Sequence, residues 1–157
     1  MNEFIFHSNS PEDTDRLGAA LAAEIPDGTV VALCGTLGAG KTRLVQSLAV
    51  ACGIQREDVV SPTFVICQEH VGLRKLYHFD VYRLQSDEEF RQLGPEEFFD
   101  ADGIALVEWA DKVANSLPEQ RLEIRITVTG ETTRDFHVLP LGGLLPELTE
   151  TLCKRLA

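Results

Sequence analysis

Residues Gly35-Thr36-Leu37-Gly38-Ala39-Gly40-Lys41-Thr42 fit the pattern G-x-x-x-x-G-K-[ST], and the chemistry that pattern serves is phosphate binding. Glycines let backbone N–H groups turn inward around phosphate oxygens, and a helix beginning at the last of them aims its positive end at the same anion. In that arrangement Lys41 reaches the β- and γ-phosphates of a nucleotide and the Thr42 hydroxyl holds Mg²⁺. Arg43 follows in the first helical turn, so Gly35 to Arg43 is the candidate nucleotide-binding set. With this chain's own residue frequencies the pattern arises by chance in about two chains per thousand, before its flanks are considered.

Such a loop needs a carboxylate to organise the cation, usually at the end of a neighbouring apolar strand. Ile104-Ala105-Leu106-Val107-Glu108 has that form, and Glu108 is the first candidate. In Tyr77-His78-Phe79-Asp80-Val81-Tyr82-Arg83 the alternation puts His78, Asp80 and Tyr82 on one face, with Asp80 at a strand end. Asp80 is the second candidate, either binding Mg²⁺ through water or orienting the attacking water. For His78 and Tyr82 structural hydrogen bonds are expected, and for Trp109 core packing. Ser61-Pro62-Thr63 occupies the place where many nucleotide hydrolases carry a loop whose Thr senses the γ-phosphate. An ordinary proline turn leading into a strand explains the same residues equally well. The candidate catalytic set is therefore Lys41, Asp80, Glu108 and Thr63, with Thr42, Glu108 and Asp80 toward the metal.

The elements needed to position these groups are legible on either side of them. Thr29-Val30-Val31-Ala32-Leu33-Cys34 is an apolar run of the kind buried on both faces of a sheet, ending at Gly35. From Thr42 to Cys52, Leu44, Val45, Leu48 and Ala49 recur at helical spacing, and Gly53 supplies a stop. Upstream, residues 3–7 read as a strand, and a helix to about Glu24 opens with Ser10 as N-cap and Pro11 at its first position. Downstream come a hairpin over 64–69 and 73–80, acidic helices near 86–93 and 95–100, a buried strand at 104–107, a hairpin over 121–129 and 134–139, and a helix over 144–156. The pattern predicts one α/β domain over residues 1–157, with a mixed central sheet flanked by helices.

Composition narrows the function. The 157 residues carry a formal net charge of −11, a poor match for bare nucleic acid or an anionic membrane. Between Asp87 and Asp111 there are nine acids and one base, Arg91, which reads as a solvated helical face or, alternatively, as a docking surface. No run of about 18 apolar residues and no basic, apolar leader is present, so a cytoplasmic protein is expected. Cys34, Cys52, Cys67 and Cys153 form no C-x-x-C pair, and His7, His70, His78 and His137 form no zinc pattern.

With these residues placed, the chain resembles the TsaE (YjeE) family of bacterial P-loop ATPases. The resemblance is carried by the phosphate loop, by Ser61-Pro62-Thr63-Phe64, by Tyr77-His78-Phe79-Asp80-Val81-Tyr82-Arg83-Leu84 and by Val107-Glu108-Trp109. It departs at Thr36, where the family usually has Asp or Asn, and it is loose beyond about residue 112. It implies a P-loop fold that binds ATP and Mg²⁺ and hydrolyses ATP slowly alone. The implied partners are the TsaB and TsaD proteins, which transfer threonylcarbamoyl to adenosine in tRNA, with tRNA met only through that complex.

Two other classes compete. A small-molecule P-loop kinase normally carries an Arg-rich lid, and the Asp87–Asp111 stretch has only Arg91. A nucleotide-dependent regulatory module of the GTP type predicts an N-K-x-D reader, which the sequence lacks.

Overall fold

The computed structural model describes residues 3–60, 66–99 and 102–157. In chain order the elements are β1 (Phe4–Ser8), α1 (Pro11–Glu24), β2 (Val30–Cys34), α2 (Lys41–Ala51), β3 (Cys67–Val71), β4 (Lys75–Asp80), α3 (Asp87–Gln92), α4 (Glu96–Phe99), β5 (Gly103–Glu108), β6 (Arg121–Val128), β7 (Arg134–Leu141) and α5 (Leu148–Leu156). Two 3-10 helices, Arg56–Asp58 and Ala110–Ser116, join them.

The most apolar runs become the middle of a seven-stranded sheet ordered β1-β7-β6-β2-β5-β4-β3. β2 lies parallel to both β5 and β6, and β4 parallel to β5, whereas β1/β7, β6/β7 and β3/β4 are antiparallel. The sheet is therefore mixed, as expected. Parallel strands need cover on both faces, and alternation within each strand supplies it. Val31, Leu33, Leu76, Ile104 and Leu106 face Leu17, Leu21, Leu44, Leu48 and Leu152 from α1, α2 and α5. On the other face Val30, Ala32, Phe79, Ala105 and Val107 meet Phe90 and Phe99 from α3 and α4, with Val113 from the second 3-10 helix.

Local chemistry sets the element ends. Ser10 sits in extended backbone and its Oγ accepts the Asp13 N–H at 3.1 Å, with Pro11 next, as the sequence predicts. Ser86 caps α3 in the same way, accepting from Glu89 N–H at 3.3 Å. α5 begins four residues later than 144, because Gly142, Gly143 and Leu145 all take positive φ and hold the chain in a turn. The 3-10 helix after β5 has no counterpart in the sequence reading. Among the described residues no helix is long and apolar enough to cross a membrane.

Candidate functional site

Because β2, β5 and β4 run side by side in parallel, their carboxyl ends open on one edge of the sheet, where ligands bind in open α/β folds. Three predicted pieces meet there. The glycine-rich loop leaves β2, Glu108 ends β5 and Asp80 ends β4, with Asp80 and Glu108 directly opposite in register. Alternation aims both carboxylates toward the face that carries α2. A cavity of about 500 Å³ lies among Gly38, Gly40, Thr42, Asp80, Arg83 and Glu108, and Leu37, Ala39, Lys41 and Arg43 also border it.

The loop's glycines are there for reasons of backbone and space. Gly38 and Gly40 take φ of +78° and +108°, a left-handed region that side chains disfavour. At Gly35 a Cβ would stand 3.0 Å from Ala39 Cβ and 3.1 Å from the Ile126 carbonyl. Gly40 precedes α2 and has no side chain to cap it, so the first N–H groups of that helix stay available to an anion.

Thr42 Oγ1 donates to Glu108, lying 3.0 Å from both carboxylate oxygens. Glu108 is 2% exposed, and its Oε2 also lies 2.5 Å from His78 Nε2. Asp80 Oδ1 accepts the Tyr82 N–H at 3.0 Å, fixing the turn after β4. Among the described residues no three His, Cys, Asp or Glu side chains cluster to cage a metal. What the site offers is hard oxygen: one hydroxyl bonded to a buried carboxylate, with a second carboxylate opposite. That donor set fits Mg²⁺, which usually takes one or two carboxylates and completes its shell with phosphate and water.

The Lys41 ammonium does not face open solvent but donates to the carbonyls of Gly35 at 2.7 Å and Thr36 at 2.8 Å, and sits 3.9 Å from the centre of the Trp109 ring. Burial pulls it below the ordinary lysine value of 10.5, and the charges of Glu108, Asp80 and Asp111 pull the other way. Thr36 acts here through its carbonyl, which any residue type supplies. Arg43 borders the cavity, but its guanidinium is bidentate on Asp15 of α1, at 3.1 and 2.7 Å. Thr63 lies outside the described residues. The thiols of Cys34 and Cys67 are pushed up to about 11, chiefly by burial.

Three further residues take part. Trp109 is not simply a core residue: it follows Glu108 at φ 63°, ψ 34°, a strained conformation for a bulky side chain, and walls the site against Lys41 and Tyr82. Its position after a strand-end acid was the only signal in the sequence. Tyr82 lines the cavity and also makes structural hydrogen bonds through its backbone, its N–H donating to Asp80 Oδ1 and its carbonyl accepting from Lys112 at 2.6 Å. Arg134 of β7 reaches the back of the loop and donates to the Ala39 carbonyl at 3.0 Å and the Gly38 carbonyl at 3.4 Å. Nothing near Arg134 in sequence announces that contact.

Comparison with known proteins gives the family. Residues 8–136 match the family described as "Threonylcarbamoyl adenosine biosynthesis protein TsaE". The chain belongs to the TsaE family. A TsaE protein of Treponema pallidum is 40% identical over 131 residues, covering 83% of this chain and 96% of that one. A TsaE protein of Bacillus subtilis is 37% identical over 155 residues, covering 98% and 96%. The crystal structure of Bacillus subtilis YdiB superposes with a TM-score of 0.75 at 32% identity, covering 98% of this chain and 93% of that one. The similarity thus spans the region beyond residue 112, where the motifs alone match TsaE loosely.

Proposed function

We propose that this TsaE-family chain binds ATP with Mg²⁺ at the Gly35–Thr42 loop, hydrolyses it, and serves as the accessory ATPase of a TsaB–TsaD assembly that forms N6-threonylcarbamoyladenosine in tRNA. The names of its relatives, tRNA threonylcarbamoyladenosine biosynthesis proteins, support the pathway. The observation that carries the chemistry is the bond from Thr42 to Glu108 at the mouth of the phosphate loop, with Asp80 in register beside it.

Thr42 gives its hydroxyl hydrogen to Glu108 and so turns its lone pairs toward the cavity. The N–H groups of the loop and of the first turn of α2 receive phosphate oxygens, and Lys41 adds a charge next to them. Mg²⁺, when bound, supplies neutralising charge at the phosphate oxygens. Asp80 presents a second carboxylate across the cavity, placed to orient water. A second cavity of about 270 Å³ shares Gly40 and Arg43 with the first and is bordered by Ser10, Thr14, Thr132 and Arg134, which leaves room for the nucleoside end.

Partner dependence is the part of this reading that the guanidinium groups bear on. Arg43 is held by Asp15 and Arg134 by the back of the loop, so neither is poised over the phosphates, while Arg83 borders the cavity itself. Completion of such a site by a partner contributes about 10³ to 10⁵ in rate where a finger is supplied. Ordering of Ser61-Pro62-Thr63 over the γ-phosphate is the alternative source. Phosphate release for wild type and Thr63→Ala, with and without TsaB and TsaD, separates the two. Stimulation that Thr63→Ala abolishes while the complex still forms assigns it to that loop, and stimulation that survives assigns it to the partner. Calorimetric titration with ATP and GTP tests the nucleotide itself. Preference for GTP, or no binding of either, contradicts the proposal.

A further inference from the structure

His78 is fully buried and belongs to no step described so far. It sits on β4 opposite Leu106, two residues before Glu108, so the two side chains are diagonal neighbours on one face of the sheet. Its Nε2 lies 2.5 Å from Glu108 Oε2, while among the described residues its Nδ1 has no hydrogen-bond partner. An ionised carboxylate only accepts, so Nε2 carries the proton of that bond. A buried histidine with a purely structural role usually satisfies both ring nitrogens. Among the described residues this one directs its ring hydrogen bond at the acid that receives the Thr42 hydroxyl.

The bond constrains what Glu108 can do. With Oε2 held by His78, the carboxylate cannot rotate away from Thr42, and both oxygens stay 3.0 Å from Thr42 Oγ1. The Thr42 hydrogen is thereby committed to Glu108 and its lone pairs to the cavity. We propose that His78 is a positioning residue for the cation site, acting through Glu108 and Thr42. The inference rests on the reading that this site takes Mg²⁺ with nucleotide.

Gln and Asn substitutions separate positioning from simple support. The Gln amide nitrogen falls where His Nε2 lies, whereas the shorter Asn amide falls nearer Nδ1. The probe is Mn²⁺, titrated by electron paramagnetic resonance against protein saturated with the β,γ-imido analogue of ATP, alongside thermal melts. Loss of a hydrogen bond behind a metal ligand costs about 10–100-fold in affinity. His78→Asn is expected to weaken Mn²⁺ by about tenfold or more, and His78→Gln to restore it to within about threefold, with analogue affinity in the absence of metal unchanged. Equal Mn²⁺ affinity in wild type and both variants, or equal loss in both, overturns the proposal.

Wild-type protein provides a readout that needs no variant to fold. The His78 ring N–H signal in nitrogen-correlated NMR shifts when Mg²⁺ is added to analogue-loaded protein, beyond any shift from the analogue alone. A signal indifferent to Mg²⁺ overturns the proposal. Failure of the wild type to bind the analogue at all removes the nucleotide reading and this inference with it, whereas analogue binding with no His78 effect removes the inference alone.

Discussion

Lys41 and the two carboxylates each make a prediction that depends on what the side chain touches. Lys41→Ala removes a charge from the phosphates and also leaves the Gly35 and Thr36 carbonyls without their donor. Charge-assisted bonds are worth about 1.5–3 kcal/mol each, so calorimetry is expected to show a tenfold or greater loss of ATP affinity, accompanied by a lower melting temperature. Unchanged affinity would remove the phosphate-loop assignment. Asp80→Asn and Glu108→Gln keep size and remove charge. Each is expected to reduce hydrolysis far more than ADP binding, and a variant with a normal rate takes its residue out of the site. These residues were readable in the sequence because the fold's periodicities act over a few positions. A strand-end acid and a loop of fixed length need only the chain nearby to place them. Arg134 was not readable, because its contact with Ala39 spans 95 residues and depends on β7 crossing behind the loop. Nor was the inward turn of Lys41, since the acceptors are backbone carbonyls and carry no residue signature.

At the scale of elements, α2 is held to α1, and that packing aims the phosphate loop. Gly18 lets the helices approach: a Cβ there would lie 2.8 Å from the Leu48 backbone nitrogen. Gly18→Ala is therefore expected to destabilise the fold by about 1–3 kcal/mol, measured by urea denaturation, with the site chemistry unchanged once folded. No loss of stability would show that the helices can separate freely. Asp15 ties the same pair, accepting from Ser47 at 2.6 Å and binding Arg43 and Arg56. Burial raises its carboxyl, but the hydrogen bonds from Ser47 and Arg43 and the charges of Arg43 and Arg56 prevail and hold it below the ordinary 3.8. The unfolded state thus takes up a proton first as pH falls. This stabilisation is complete above the unfolded value and lost as pH drops through the lower folded one. Asp15→Asn is expected to be less stable than wild type at about pH 7, with the gap narrowing as the solution is acidified below the ordinary carboxyl value of 3.8. A gap that does not depend on pH would assign Asp15 to packing instead. The central strands and α1 with its Ser10 cap were legible because apolar runs and Ser caps are local signals, whereas Ser86, read as the start of a helix near 86–93, stands outside α3 as its cap. The 3-10 helix at Ala110–Ser116 was not, since it follows from the left-handed turn at Trp109 and from packing of Val113 against the sheet.

As a whole molecule the chain carries its glycine-rich loop on a strongly acidic body. The net charge of −11 leaves little affinity for tRNA by itself, because binding to a phosphate backbone depends on Lys and Arg neutralising it. Under the proposed function basic surface would come from partners. Among the described acids between Asp87 and Asp111 most are exposed or half-buried, whereas Glu108 is buried at the end of its strand and turns toward the candidate site. Family membership stands beside three facts: a glycine-rich loop of the phosphate-binding pattern, Arg43 tied to Asp15 with Arg134 at the back of that loop, and a net charge that suits RNA poorly. Partner-dependent ATP hydrolysis is tested most directly by phosphate release from ATP with Mg²⁺, measured for the protein alone and with TsaB and TsaD. Slow release alone and stimulation by the pair of about tenfold or more are expected. Fast release alone that the pair leaves unchanged would contradict partner dependence.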